Sequence, residues 1–431
     1  MTTLILLLAF CAAAAVFGFE EERNENFDES KVVSYPLPDQ LICGDGTPVT
    51  TPELWTEKRR KEILDLFATR MYGVMPPCDR SKLRWETRRV SPAALGGKAV
   101  FKEIRVWFDA PNPYPKIDIL VCLPRRAQGP VPAFLGLNFN GNHTVSDDEW
   151  ISPPDNNEGN RVRGKDPQTQ RGTMKHRWPI ETIVDRGYAL VTGYYEDIDP
   201  DFDDKRQNGV HPLFAPFEAE IPEPSRAATF TAWGWGLSRI LDCLEEMPEI
   251  DARRVALLGH SRLGKTALWT GANDERFAMV ISNDSGCGGA ALSRRNFGET
   301  PKLLVTVRPH WFCPFYASCA DDPEELPFDQ HELIALIAPR PVYIASADDD
   351  LPADPKGEYL AAWNADPVYR LLGTDGIGGA PETPPETDRP VGAVIRYHRR
   401  SGKHDLTAYD WEEYLRFADT YLKQQKTPIS F

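Results

Sequence analysis

The sequence predicts an α/β protein with a mostly parallel central sheet, helices on both faces of that sheet, and long polar loops at the catalytic face where the strands end. Three observations carry the prediction. Short, wholly apolar runs recur at Val131–Phe139, Tyr188–Thr192, Val255–Gly259, Ala278–Ser282, Pro341–Ala345 and Val394–Tyr397, as expected of strands covered on both faces. Helical stretches separate most of these runs, which implies right-handed crossovers between parallel strands. The 38 prolines and 31 glycines suit a sheet protein with many turns better than a helical bundle.

Taken in order, the elements begin with a helix at Thr51. Thr51, Pro52 and Glu53 supply an N-cap, a first-position proline and an acidic first turn. Leu54, Ile63, Leu66 and Phe67 mark one face, and the helix should run to about Arg70. An edge hairpin follows, with partial alternation over Ala99–Phe108 and a second strand over Ile117–Leu123 closed by Pro124. Pro179–Arg186 reads as a short helix stopped by Gly187. Ser225 is expected to cap a long helix whose Phe230, Trp233, Leu237, Ile240, Leu241 and Leu244 repeat at i, i+3 and i+4. Three polar stretches break the alternation, near 143–177, 196–224 and 373–392. Each is expected to be a loop on the face where the strands end, which is where parallel sheets place their ligands.

Composition narrows the function. The 49 Lys and Arg against 64 Asp and Glu leave a formal charge of -15, so nucleic acid is excluded as a partner, because that affinity comes mainly from cationic side chains. With 431 residues and neither repeats nor low-complexity segments, residues 19–431 read as a single catalytic domain carrying the three insertions. The apolar run Leu4–Val16, too short to span a bilayer, reads as the core of a signal peptide ending near Gly18. Secretion or periplasmic export, with no membrane contact after removal, is the corresponding expectation. Seven cysteines follow that segment without CxxC spacing, which argues against a thiolate metal site. Buried free thiols are expected, with Cys287 to Cys313 or Cys319 as the one disulfide worth considering.

The chemistry is concentrated where the strand Val255–Gly259 meets the next helix through His260, Ser261, Arg262, Leu263, Gly264 and Lys265. A tight strand-to-helix turn carrying a serine lifts the hydroxyl above the sheet, and the helix N-terminus offers N–H groups to an oxyanion. The second glycine sits one position later than in the common G-x-S-x-G pattern, and Arg262 follows the serine directly. His404, in the loop after the last predicted strand, is the best-placed general base, and the order serine, acid, histidine suits this fold. Two acids compete to orient it: Asp350, after strand Pro341–Ala345, and Asp284, after strand Ala278–Ser282. His260 and His398 are expected to pack near the site, His143 and His310 are pocket candidates, and His176, His211 and His331 read as surface or cap residues.

These segments resemble the glucuronoyl esterases of carbohydrate esterase family 15, especially bacterial members. The resemblance rests on Gly259–Lys265, Asp284–Gly289, Ser401–Asp405 with Asp410 and Trp411, Leu137–Thr144, Arg294–Glu299 and His310–Cys313. It implies an α/β-hydrolase in three layers; no metal or organic cofactor is expected, because a triad with oxyanion donors suffices for ester cleavage, and a monomer is expected. It further implies hydrolysis of the ester between a (4-O-methyl-)glucuronic acid side group of glucuronoxylan and lignin alcohols. Carried over residue by residue, Ser261 is the nucleophile and His404 the base. Asp284 and Asp350 occupy the two acid positions used within the family, leaving the dominant acid open. Arg262 matches the oxyanion arginine, and Lys265 and Glu299 match residues that hold the sugar hydroxyls. Pro352 stands where many members carry a tryptophan, so Trp311 is a candidate replacement contact. A carbohydrate deacetylase or a serine peptidase on the same fold, or a polysaccharide-binding protein without catalysis, would share parts of this pattern.

Overall fold

The computed structural model describes residues 25–154 and 167–423, so the predicted signal segment and the middle of the 143–177 insertion lie outside the described residues. Ten strands form one sheet in the order β1-β2-β3-β5-β4-β6-β7-β8-β10-β9. The strands are β1 Arg84–Ala93, β2 Ala99–Trp107, β3 Lys116–Pro124, β4 Val131–Asn138 and β5 Ala189–Tyr194. They continue with β6 Ile250–His260, β7 Met279–Asn283, β8 Val342–Ala347, β9 Val391–Gly392 and β10 Ile395–Arg400. From β5 through β4, β6, β7 and β8 to β10 every neighbour is parallel, as the buried apolar runs predict.

The strands alternate sides, and each side faces its own helical layer. Ala133, Leu135, Val255 and Leu257 join a core cluster with the helices Arg60–Phe67, Thr229–Glu245 and Arg262–Asn273. Phe134, Ala256 and Leu258 join the opposite cluster with Ile180–Asp185 and Ala408–Tyr421. This period of two across a doubly covered sheet gives three layers.

Three expectations need correction, while the expected free thiols are found. The hairpin β2–β3 forms, but it is not the edge: β1 pairs with β2 outside it. Arg84, Glu86, Arg88 and Arg89 leave β1 largely exposed and without an apolar signal, which is how an edge strand discourages pairing with other chains. Ser225 does not cap the long helix, which starts at Thr229. Ser225 instead donates its hydroxyl to the Thr69 carbonyl at 2.8 Å, while the Thr229 N–H is taken by the His310 carbonyl at 3.1 Å. The 196–224 segment is not all loop, because His211–Glu218 forms a helix. The seven cysteines among the described residues are free, Cys287, Cys313 and Cys319 included. Burial raises the Cys287 thiol strongly and pushes Cys313 up to about 11, disfavouring the thiolate that disulfide chemistry requires.

Candidate active site

The predicted nucleophile, acids and base sit beyond the carboxyl ends of strands or in loops reached from them. Ser261 follows β6, Asp284 follows β7, Asp350 lies three residues past β8, and His404 lies in the loop after β10. The Ser261 backbone has φ 59° and ψ -130°, a left-handed conformation that costs on the order of 1–3 kcal/mol for a residue with a side chain. Close packing over-determines it. A Cβ at Gly259 would lie 1.8 Å from the Leu263 carbonyl oxygen, and one at Gly264 would lie 2.9 Å from the Ser285 Cβ. The Ser261 N–H donates to the Asn283 carbonyl at 2.8 Å, and its own carbonyl accepts from Gly264 at 2.8 Å. The late second glycine thus lets the helix approach the β7 loop.

His404 and Asp350 are brought together: Nδ1 and Oδ2 lie 2.6 Å apart, with Asp350 buried and His404 partly open. Asp284 is placed differently. Its carboxylate pairs with the Arg400 guanidinium at 3.1 Å and accepts the Asp405 N–H at 3.3 Å, so it braces the loop that carries His404. Burial pushes the Asp284 carboxyl well up, against the pull of Arg400, and the nearby Glu358, Asp350 and Asp410 push it further. One oxygen of each acid and one His404 nitrogen lie within 4.8 Å of one another, a spacing suited to a metal ion. Within that trio Asp284 faces the Arg400 cation, and Asp350 contacts His404 directly. His260 stacks beside His404 at 4.6 Å between ring centroids, and burial drives its pKa well down. It stands next to the base as a neutral packing residue, and His398 is buried against Asp410 and Tyr343.

Arg262 is held on three sides. Its guanidinium donates to Asp201 and lies over the rings of Trp311 at 5.0 Å and Phe139 at 5.7 Å. Asp201 is fully buried and also accepts from Trp311 Nε1 at 2.7 Å and the Tyr195 hydroxyl at 3.0 Å, with His310 Nε2 at 3.0 Å. Burial alone would raise the Asp201 carboxyl, yet His310, Arg262 and Trp311 hold it below the usual carboxylate range. Lys265 is buried, donates to the Ser285 carbonyl and lies 3.6 Å from Glu299. Trp311 lines the same cavity, but its N–H is engaged by Asp201 and its ring packs against Arg262, Arg308 and Phe230.

Sequence reasoning missed Asp201, Tyr195, Phe139 and Arg400. The first two flank the start of the polar 196–224 stretch, so only its position after a strand hinted at them. Arg400 was hidden because its partner Asp284 lies 116 residues away in the chain. His310 supports Asp201 rather than lining a pocket, and His143 is buried. His176 is exposed as expected. His211 and His331 are not surface residues: both are buried, with ring nitrogens at 3.3 Å from Asp199 and 2.9 Å from the Pro38 carbonyl. The 373–392 loop runs beside β10, with the Asp388 N–H donating to the Arg399 carbonyl at 2.8 Å, and lines neither cavity at Ser261.

Comparison with known proteins places this geometry. Residues 181–373 match a family model described as glucuronyl esterase, fungi. A carbohydrate esterase from an unknown prokaryotic organism is 45% identical over 409 residues, 94% of each chain. The chain belongs to the glucuronoyl esterases of carbohydrate esterase family 15. Two solved structures agree, each at 46% identity and a TM-score of 0.85. One is a promiscuous esterase of this family from a marine bacterial metagenome, covering 92% of this chain and 100% of its own. The other is a glucuronoyl esterase from Solibacter usitatus, covering 91% and 99%. The fold is therefore that of an α/β-hydrolase, and the chain is a carboxylic ester hydrolase.

Proposed function

We propose that the protein hydrolyses the ester joining (4-O-methyl-)glucuronic acid of glucuronoxylan to lignin alcohols, through an acyl-enzyme on Ser261. The observation that carries this reading is one cavity of about 280 Å³ in which Ser261 and His404 share walls with Lys265, Glu299 and Trp311. A uronic acid ring there meets the charged hydrogen-bonding groups of Lys265 and Glu299 for its hydroxyls.

His404 Nε2 removes the Ser261 proton while Nδ1, hydrogen-bonded to Asp350, fixes the tautomer and steadies the imidazolium. The Ser261 oxygen attacks the uronoyl carbonyl carbon. The oxyanion forms beside the Arg262 N–H, in the first turn of a helix whose leading N–H groups lack intrahelical acceptors. One such donor is worth about 3 kcal/mol of barrier. The Arg262 guanidinium, pinned by Asp201, adds a fixed positive charge that needs no rearrangement during the reaction. His404 then protonates the departing alkoxide, and water activated by His404 cleaves the acyl-enzyme. Asp284 acts as a positioning residue through Arg400 and the Asp405 N–H.

The sequence supports a single catalytic domain, residues 19–431, preceded by a secretion signal. The decisive assay is hydrolysis of benzyl glucuronate by wild type and Ser261→Ala, with acetylated xylan in parallel. The expected result is cleavage of the uronate ester, lost by about five orders of magnitude or more in the variant. Release of acetyl groups alone would instead assign a deacetylase.

A further inference from the structure

Glu358 is fully buried in the helix Pro355–Asn364, behind the wall of the cavity that holds Lys265 and Glu299. None of its hydrogen-bond partners is a triad residue, yet neutral donors fill its carboxylate. Oε1 accepts the Ser285 N–H at 2.8 Å, the Gly286 N–H at 2.9 Å and the Ser285 hydroxyl at 3.0 Å. Oε2 accepts the Ser346 hydroxyl at 2.6 Å, whose oxygen in turn accepts from Tyr397 at 3.1 Å. Burial raises the Glu358 carboxyl to about 7, and the Ser346, Gly286 and Ser285 donors pull against that rise. A carboxylate so deeply buried is costly unless its oxygens are satisfied, and the donors that satisfy this one come from the loops after β7 and from β8.

One of these contacts reaches the cavity through a single peptide unit. The Ser285 carbonyl and the Gly286 N–H belong to the same peptide. Glu358 accepts from its N–H end, and Lys265 donates to its oxygen end. The unit therefore lies between a buried cation and a buried anion, with its dipole aligned to both, and each hydrogen bond polarises the other. The surroundings are tight: a Cβ at Gly289 would lie 2.6 Å from the Ser285 Cβ and 2.9 Å from the Lys265 Cγ, and one at Gly286 would lie 3.0 Å from the Ala353 Cα. If the peptide turned, its carbonyl would leave the Lys265 ammonium. Glu299, 3.6 Å away, is the charge that would then draw Lys265 in, and a closed Lys265–Glu299 pair would occupy both groups that face a sugar hydroxyl.

Resting on the esterase reading above, we propose that Glu358 is a positioning residue for uronate recognition: it holds the Ser285–Gly286 peptide so that Lys265 is presented to the sugar hydroxyls instead of closing onto Glu299. The test measures kcat and KM for benzyl glucuronate at pH 8 with wild type, Glu358→Gln, Glu358→Asp and Glu358→Met. Glu358→Gln keeps an oxygen for both N–H groups and can donate its amide to Ser346, so KM is expected within about twofold of wild type. Glu358→Met keeps the length but removes the acceptor, and is expected to raise KM about tenfold with kcat within about twofold, the signature of lost ground-state binding. Glu358→Asp keeps the charge but shortens the reach, so KM rises in the same direction, and it carries the test if Glu358→Met does not fold. In a Lys265→Met background, Glu358→Met or Glu358→Asp is expected to add less than about twofold, because the effect passes through Lys265. A fall in kcat with KM unchanged, or a full rise in KM persisting in the Lys265→Met background, would overturn the positioning role while the esterase reading stands. Failure of wild type to cleave benzyl glucuronate would overturn that reading, and this inference with it.

Discussion

Asp350 and Asp284 have the same side chain and lie in neighbouring loops, yet only Asp350 touches the imidazole of His404. Asp284 spends its carboxylate on Arg400 and the Asp405 N–H. The difference separates two predictions. Asp350→Asn is expected to lower kcat for a glucuronate ester by about 10³- to 10⁴-fold with little change in unfolding midpoint, because the histidine loses its orienting charge. Asp284→Asn removes one of the two carboxylates on the buried Arg400, Asp410 remaining at 2.8 Å, and should cost about 1–3 kcal/mol of stability, read by urea denaturation. A larger kcat loss for Asp284→Asn than for Asp350→Asn would reverse the two roles. Both acids were visible in the sequence as polar residues just past apolar strands. Their division of labour was not, because it depends on Arg400 approaching one of them across 116 residues of chain.

At the level of elements, the turn between β6 and the helix Arg262–Asn273 concentrates the strain of the fold. Gly259 faces the Leu263 carbonyl with no room for a methyl group. Gly259→Ala must push the helix away from the strand, so it is expected to destabilise the protein by about 3 kcal/mol, measured as a lowered urea midpoint. Activity should fall as well, since Ser261 and the Arg262 N–H move with the helix. An unchanged midpoint would show that the turn relaxes freely. This element was legible because an apolar strand, two glycines and a serine stand close together in the chain. β1 was illegible for the opposite reason: an exposed edge strand buries too little surface to need an apolar pattern. The start of the long helix was displaced from Ser225 because its first N–H groups are satisfied by carbonyls near residue 310, a partner that local capping rules do not see.

For the whole molecule, buried histidines contribute to the response to acid. Burial lowers His331 from 6.5 to about 4, and its Nε2 faces the Pro38 carbonyl. The unfolded chain binds a proton near pH 6.5 that the folded chain refuses until about pH 4. Stability from this group is therefore present above pH 6.5 and is lost as pH falls through that window, by roughly 3 kcal/mol. His260 shifts in the same direction. Glu332, pushed up to about 8 by burial, works oppositely: its stabilisation is present below about pH 4.5 and is lost as pH rises towards 8. Comparing His331→Gln with wild type isolates the histidine, because glutamine can still donate to Pro38 but takes no proton. The variant should lose less stability between pH 6.5 and 4 than wild type does, read from urea midpoints at each pH. Parallel slopes would exclude His331 as the source.

By itself the sequence determined the layered fold, the strand-end positions of Ser261, Asp284, Asp350 and His404, and the family. Those features are written locally, in the polarity of short runs and in the turn that must follow a buried strand, so neighbouring residues suffice to read them. Only the tertiary structure decided which acid meets His404, what holds Arg262, and where the serine opens into two cavities. Each of those depends on groups from different strands meeting above the sheet. The burial that makes such pairings strong also removes them from any local pattern of the chain.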